Sequence, residues 1–168
     1  MIIKDLLNFI YAIAAVATAV GVFLAWWQIK LGKKQAETQF EDELAREYRN
    51  IAKRLPVKAL LGEDLDAEEY DKALADFYHY IDLSNEQVFL RQNKRISSET
   101  WENWCDGIKS NLTRIAFKRG WDEIKSKATG SFEELRRLEE TGFKDDPYKW
   151  RKIYFKKKEW VKGIKGSP

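Results

Sequence analysis

The sequence predicts an all-α protein, with one N-terminal transmembrane helix followed by a small cytosolic helical bundle, and three observations lead there. Leu6 to Ile29 holds no charged side chain, and at about 1.5 Å per residue it is long enough to cross a hydrocarbon core of about 30 Å. Beyond it, apolar residues recur at helical spacing and no stretch alternates convincingly with period two. An Asp or Ser followed three positions on by Glu or Gln marks helix starts at Asp66/Glu69, Ser84/Gln87 and Ser131/Glu134.

The flanks of the apolar run suit a membrane anchor. Phe9 and Tyr11 lie near one end and Trp26 and Trp27 near the other, where amphipathic rings favour the headgroup level, and Lys30, Lys33 and Lys34 follow. Before the run there is only Lys4, offset by Asp5, so the charge asymmetry predicts a short N-terminus outside and the rest of the chain in the cytoplasm. A cleaved signal peptide is the rival reading. Ala17-Thr18-Ala19 offers a small-residue site, but cleavage there would leave Val20 to Trp27 as an apolar start to the mature chain, so length and flanks favour the anchor. Ala17, Gly21 and Ala25 recur every fourth residue, with Ala14 and Thr18 beside them. This stripe is either a self-association face or the ordinary Ala and Gly content of a spanning helix. Asn8 and Thr18 are uncharged and can be satisfied locally, which speaks against an ion relay.

At 168 residues the chain has room for this anchor and one modest domain. The expected division is an anchor over 1–31, a cytosolic all-helical domain over 32–143 and a basic, aromatic tail over 144–168. Residues 35–143 carry 17 basic against 23 acidic side chains, whereas 144–168 carry 9 against 3. An acidic body beside a basic tail suits either self-docking or an anionic partner. The lone Cys105 excludes an intrachain disulfide framework and fits a reducing compartment.

Within the body, Phe40, Leu44, Tyr48, Ile51 and Leu55 step by four or three, the pattern of an amphipathic helix that Pro56 ends. Gly32 is the one plausible joint between it and the anchor, and without a bend there the two run on as one long stalk. A short Val57–Leu61 segment closes at Gly62. Asp66 with Glu69 then opens a helix with Tyr70, Leu74, Phe77 and Ile81 on its buried face. Ser84 with Gln87, and Leu83 with Val88 at the spacing of a hydrophobic staple, predict a helix junction over Asp82–Gln87 and a new helix from Asn85. Ser97 or Ser98 caps a core helix carrying Trp101, Trp104, Cys105, Ile108, Leu112 and Ile115. A bend near Asn111–Arg114 precedes Ala116, Phe117, Gly120, Trp121 and Ile124. Ser131 with Glu134 opens a short helix through Leu135 and Leu138, and Gly142 stands where a C-terminal glycine belongs.

Few residues suggest chemistry. His79 is the single histidine and Cys105 the single cysteine, so nitrogen and sulfur ligands for zinc are lacking. Cys105 shares a face with Trp101, Trp104 and Ile108, where burial raises a thiol's pKa and blunts it as a nucleophile. The Asp and Glu pairs at helix starts follow from the helix dipole, and there is no glycine-rich phosphate loop or Gly-x-Ser-x-Gly. No metal or cofactor is expected. Arg91, Lys94 and Arg95 cluster in a turn, and Arg114, Lys118 and Arg119 lie further on; both groups read as solvated faces. In the tail, Lys149, Arg151, Lys152, Lys156, Lys157 and Lys158 interleave with Tyr148, Trp150, Ile153, Tyr154, Phe155 and Trp160. Such a segment docks on the acidic body, seats at an anionic lipid surface, or stacks on nucleic acid or a protein partner, in that order of expectation.

The run DLSNEQVFLRQNKRISSETWENWCDGIKSNLTRIAFKRGW, Asp82 to Trp121, resembles a recurring core of uncharacterised prokaryotic single-pass membrane proteins with a cytosolic helical domain. In architecture the chain is also similar to small membrane proteins encoded beside RNA-targeting CRISPR effectors, which implies a possible homo-oligomeric pore in anti-phage defence. An arginine four to six residues before the histidine, used by many prokaryotic RNA-cleaving helical domains, is missing before His79, which makes a degenerate ribonuclease the last of the readings. The expectation is therefore a bacterial inner-membrane protein, single-pass with its C-terminal domain cytoplasmic, that binds and does not catalyse; its partners are the bilayer, further copies of itself and anionic lipid.

Overall fold

A computed structural model describes residues 2–150, leaving aside the side chains of 2 and 5–8. It is helical, with no strand among the described residues. The elements are α1 (Ile2–Ala52), α2 (Val57–Leu61), α3 (Ala67–Gln92), α4 (Ser98–Thr113), α5 (Ile115–Lys127), α6 (Glu133–Glu140) and a 3-10 turn at Pro147–Lys149. The chain divides into two units, Met1–Gln39 and Phe40–Pro168. The helical backbone passes through Gly32 without interruption, the continuous alternative of the two that the sequence left open.

In the first unit the helix is apolar over residues 9–29, and the side chains described there are exposed. An 18-residue window reaches a mean hydropathy of 2.1 with none of it buried, which makes this one helix long and apolar enough to cross a membrane. Thr18 Oγ1 donates to Ala14 O at 2.8 Å, the local satisfaction expected of it.

The second unit is built around α3, which packs against α5, α6, α4 and the 3-10 turn. Its buried stripe runs Tyr70, Ala73, Phe77, Tyr80, Ile81, Ser84, Gln87, Val88 and Arg91 without a break. The predicted junction at Asp82–Gln87 and the new helix from Asn85 are thus overturned. Ser84 Oγ donates to Tyr80 O four residues back instead of capping, because continued burial of one helix face outweighs the capping preference of Ser and Asn. The Asp66 capping box forms as expected, with Glu69 N–H donating to Asp66 Oδ1 at 2.8 Å and Asp66 N–H to Glu69 Oε2 at 3.3 Å. Phe77 and Tyr80 meet Phe117 edge-on at 5.1 and 5.0 Å. A Cβ on Gly120 would lie 3.2 Å from Phe77, so glycine is what lets α5 approach α3 this closely.

Ser97 caps α4, accepting from Thr100 N–H. The bend expected near Asn111–Arg114 is a single extended residue, Arg114, between α4 and α5. Two residues expected on the core face depart from it: Ile115 is exposed and Trp104 is only half-buried. The bend rotates Ile115 away, and Trp121 instead supplies the fully buried indole of this region.

The predicted Ser131/Glu134 capping box is also absent. The residue before α6 is Phe132 at φ 61°, held in a left-handed conformation with its ring buried against Tyr78 and Trp121. Asn85 of α3 does the capping from across the unit, its Oδ1 accepting from Leu135 N–H at 3.0 Å. At the other end the expected glycine closes the helix. Gly142 at φ 64° donates to Glu139 O, and Phe143 N–H reaches back to Leu138 O, a Schellman closure.

Candidate functional site

Three features of the described residues bear on function. The first is the apolar helix. Trp26 and Trp27 are about half exposed and stand with Phe23, whose ring centroid lies 6.0 and 6.4 Å from theirs, while Lys30 Nζ sits 5.4 Å from the Trp26 ring. The aromatic cluster is followed directly by cations, with Lys33 and Lys34 exposed just beyond Lys30. Ala17, Gly21 and Ala25 are exposed, and a Cβ added at Gly21 would meet nothing within 4 Å.

The second feature joins the start of the tail to the body. Arg91 is buried, which corrects its reading as part of a solvated basic face. Its Nε and Nη2 donate to the two Asp146 carboxylate oxygens at 2.8 and 2.7 Å, Nη1 donates to Ile96 O, and Nη2 also donates to Ser98 Oγ. Four bonds from one guanidinium thus hold the α3–α4 loop and the segment after α6 together. The Tyr148 ring lies 5.0 Å from the Arg91 guanidinium carbon and 4.5 Å from Lys94 Nζ. Burial alone would raise the Asp146 pKa, but the Arg91 hydrogen bond, the Tyr148 N–H and the Arg91 charge outweigh it and hold this carboxyl below its usual value. Trp150 is 1 % exposed, with Arg137 4.3 Å from its ring, so the tail's first residues are packed into the body. Lys149 is exposed; Arg151, Lys152, Lys156, Lys157 and Lys158 lie outside the described residues.

The third feature is a groove of about 310 Å³ between the Phe40–Ala52 part of α1, α3 and α4. Tyr48, Tyr80 and Trp104 supply aromatic walls, with the Tyr48 and Tyr80 rings edge-on at 6.3 Å. Tyr80 is fixed by Asn111, whose Nδ2 donates to the phenol oxygen at 3.0 Å while its Oδ1 accepts from Arg114 at 2.7 Å. Burial pushes the Tyr80 phenol up to about 12, so it stays protonated. Gln87, 6 % exposed, also lines the groove, and its amide meets no hydrogen-bond partner among the described residues. Sequence reasoning missed this groove. Its signal was present as two amides, Gln87 and Asn111, at core spacing and a glycine, Gly107, inside a helix.

The residues weighed for catalysis come out otherwise. Burial pushes the Cys105 thiol up to about 11, with Asp106 adding to the effect, which leaves almost no thiolate at neutral pH. His79 is exposed and lies over a polar surface with Glu43, Arg46, Glu47 and Arg54. Among the described residues, no group of three or more His, Cys, Asp or Glu side chains is arranged to hold a metal ion. No protein family, curated protein or solved structure matches the chain.

Proposed function

We propose that the chain is a single-pass inner-membrane protein whose N-terminal helix tethers a cytoplasmic helical unit, and that this unit works by binding. The observation that carries the reading is the exposure of Phe9, Ile13, Val16, Val20, Val22, Phe23 and Leu24, each more than half exposed along one helix. Apolar surface in water costs about 25 cal/mol per Å², and a bilayer is the solvent that removes this cost along a whole helix at once. Lys30, Lys33 and Lys34 support a cytoplasmic placement of the second unit. A binding role is supported by the groove with its uncommitted amide, while the protonated thiol at Cys105 speaks against nucleophilic catalysis. The test is a pair of reporter fusions after Pro168 combined with fractionation. A cytoplasm-only reporter is expected to be active and the chain to stay with the membranes; activity of a periplasm-only reporter would overturn the orientation, and intact chain in the soluble fraction would overturn the tether.

A further inference from the structure

Gly107 stands in the interior of α4, where glycine is a much weaker helix former than alanine. Packing does not require it: a Cβ there would meet nothing within 4 Å. It lines the groove, and the missing side chain leaves open the space beside Trp104. Gln87, 6 % exposed as a residue, also lines the groove, and its amide is uncommitted among the described residues, offering one acceptor and two donor hydrogens to whatever enters. Arg49 is exposed at the same groove and supplies its one ionic side chain, a cation with no salt-bridge partner among the described residues.

We infer that the groove binds a free mononucleotide. The exposed Tyr48 ring and the half-buried Trp104 ring can take a heterocycle by stacking, whereas Tyr80, 2 % exposed, only backs the groove. A side-chain amide matches the adjacent donor and acceptor on a base edge, as Gln does with adenine, and an unpaired guanidinium at the rim takes a phosphate in fork geometry. The volume falls at the lower end of the range for small-molecule sites, enough for one nucleotide. The inference names the ligand class for the binding role proposed above and does not depend on the tether, so either reading can fail alone.

The test is equilibrium dialysis of the full-length chain in lipid nanodiscs against labelled AMP, GMP, CMP and UMP, with the four nucleosides and a short single-stranded RNA alongside. At least one monophosphate is expected to bind saturably, about tenfold more tightly than its nucleoside, and Arg49→Gln should remove that tenfold difference while leaving nucleoside binding in place. Gly107→Leu fills the groove from a position with open space around it, so it is expected to keep the helical signal and melting temperature of the parent while losing at least tenfold in binding. Absence of binding by all four monophosphates up to millimolar concentration, binding by the RNA alone, or a folded Gly107→Leu variant that binds like the parent would each overturn the inference.

Discussion

Residues 9–31 and 40–150 are built from the same apolar side chains and treat them in opposite ways. In the first region Val20, Phe23 and Trp27 are each about half exposed, whereas in the second Val88, Phe77 and Trp121 are at most 1 % exposed. The residue types are equal; the surroundings differ. The helical unit buries its apolar stripes by packing helix on helix around α3, and that packing also fixes its polar residues: Asn85 caps α6, Arg91 ties the α3–α4 loop to Asp146, and Asn111 holds Tyr80. Along residues 9–31 the apolar side chains are exposed, and the side-chain hydrogen bond described there, from Thr18 to Ala14 O, is local.

The widest break in this contrast comes from placing charge on the exposed side of the first region. Asp at the centre of a spanning helix costs about 2.5–3.5 kcal/mol, so Val20→Asp with Phe23→Asp together cost roughly 5–7 kcal/mol of insertion energy. The double variant is expected to leave the membrane fraction, while the melting of residues 40–150, followed by near-UV circular dichroism, stays put. In the second region, Trp121→Ala removes a side chain packed against Phe132 at 6.2 Å and is expected to cost about 3–5 kcal/mol, measured by urea titration, with membrane association unchanged. A change in the opposite property for either variant would show that the two regions do not depend on different solvents.

A smaller effect sharpens the comparison inside the second region. The Asp146 carboxyl has its folded pKa held below its usual value, so it contributes stability that is present above about pH 4 and is lost as pH falls through the folded pKa. Asp146→Asn should flatten that acid limb. It is also expected to cost about 2–4 kcal/mol at neutral pH, because it leaves Arg91 buried without its counter-charge. Urea titrations at a series of pH values read both, and a variant with the parent's acid limb would show that Asp146 does not set it.

How much of this was legible in the sequence follows from where each signal resides. The apolar run, the Asp66 capping box, the Ser97 cap and the Gly142 closure are local, and each formed as local rules predict. The departures are tertiary. Ser84, Asn85 and Gln87 carry the composition of a helix start, yet α3 passes through them. Ser84 instead bonds back to Tyr80 O, Asn85 caps α6, and Gln87 lines the groove with its amide. Phe132 opens α6 in a left-handed conformation that no local preference favours, because its ring fills the space beside Tyr78 and Trp121. Arg91 in a basic cluster looked solvated; its partner lies 55 residues away and could not be read from spacing. The groove escaped notice for the same reason, since Tyr48, Gln87 and Gly107 come together only when α1, α3 and α4 pack.

The central claim is that the exposed apolar face of the N-terminal helix meets lipid and not water, and cysteine accessibility tests it most directly. Burial and the raised pKa make the native Cys105 a quiet background, against which Val20→Cys and Lys109→Cys report one position from each region. In intact membranes a water-soluble maleimide is expected to label Lys109→Cys readily and to leave Val20→Cys unmodified, although both positions are exposed on the protein itself. Labelling of Val20→Cys at the rate of Lys109→Cys would contradict the account, because it would mean that water reaches the middle of the helix.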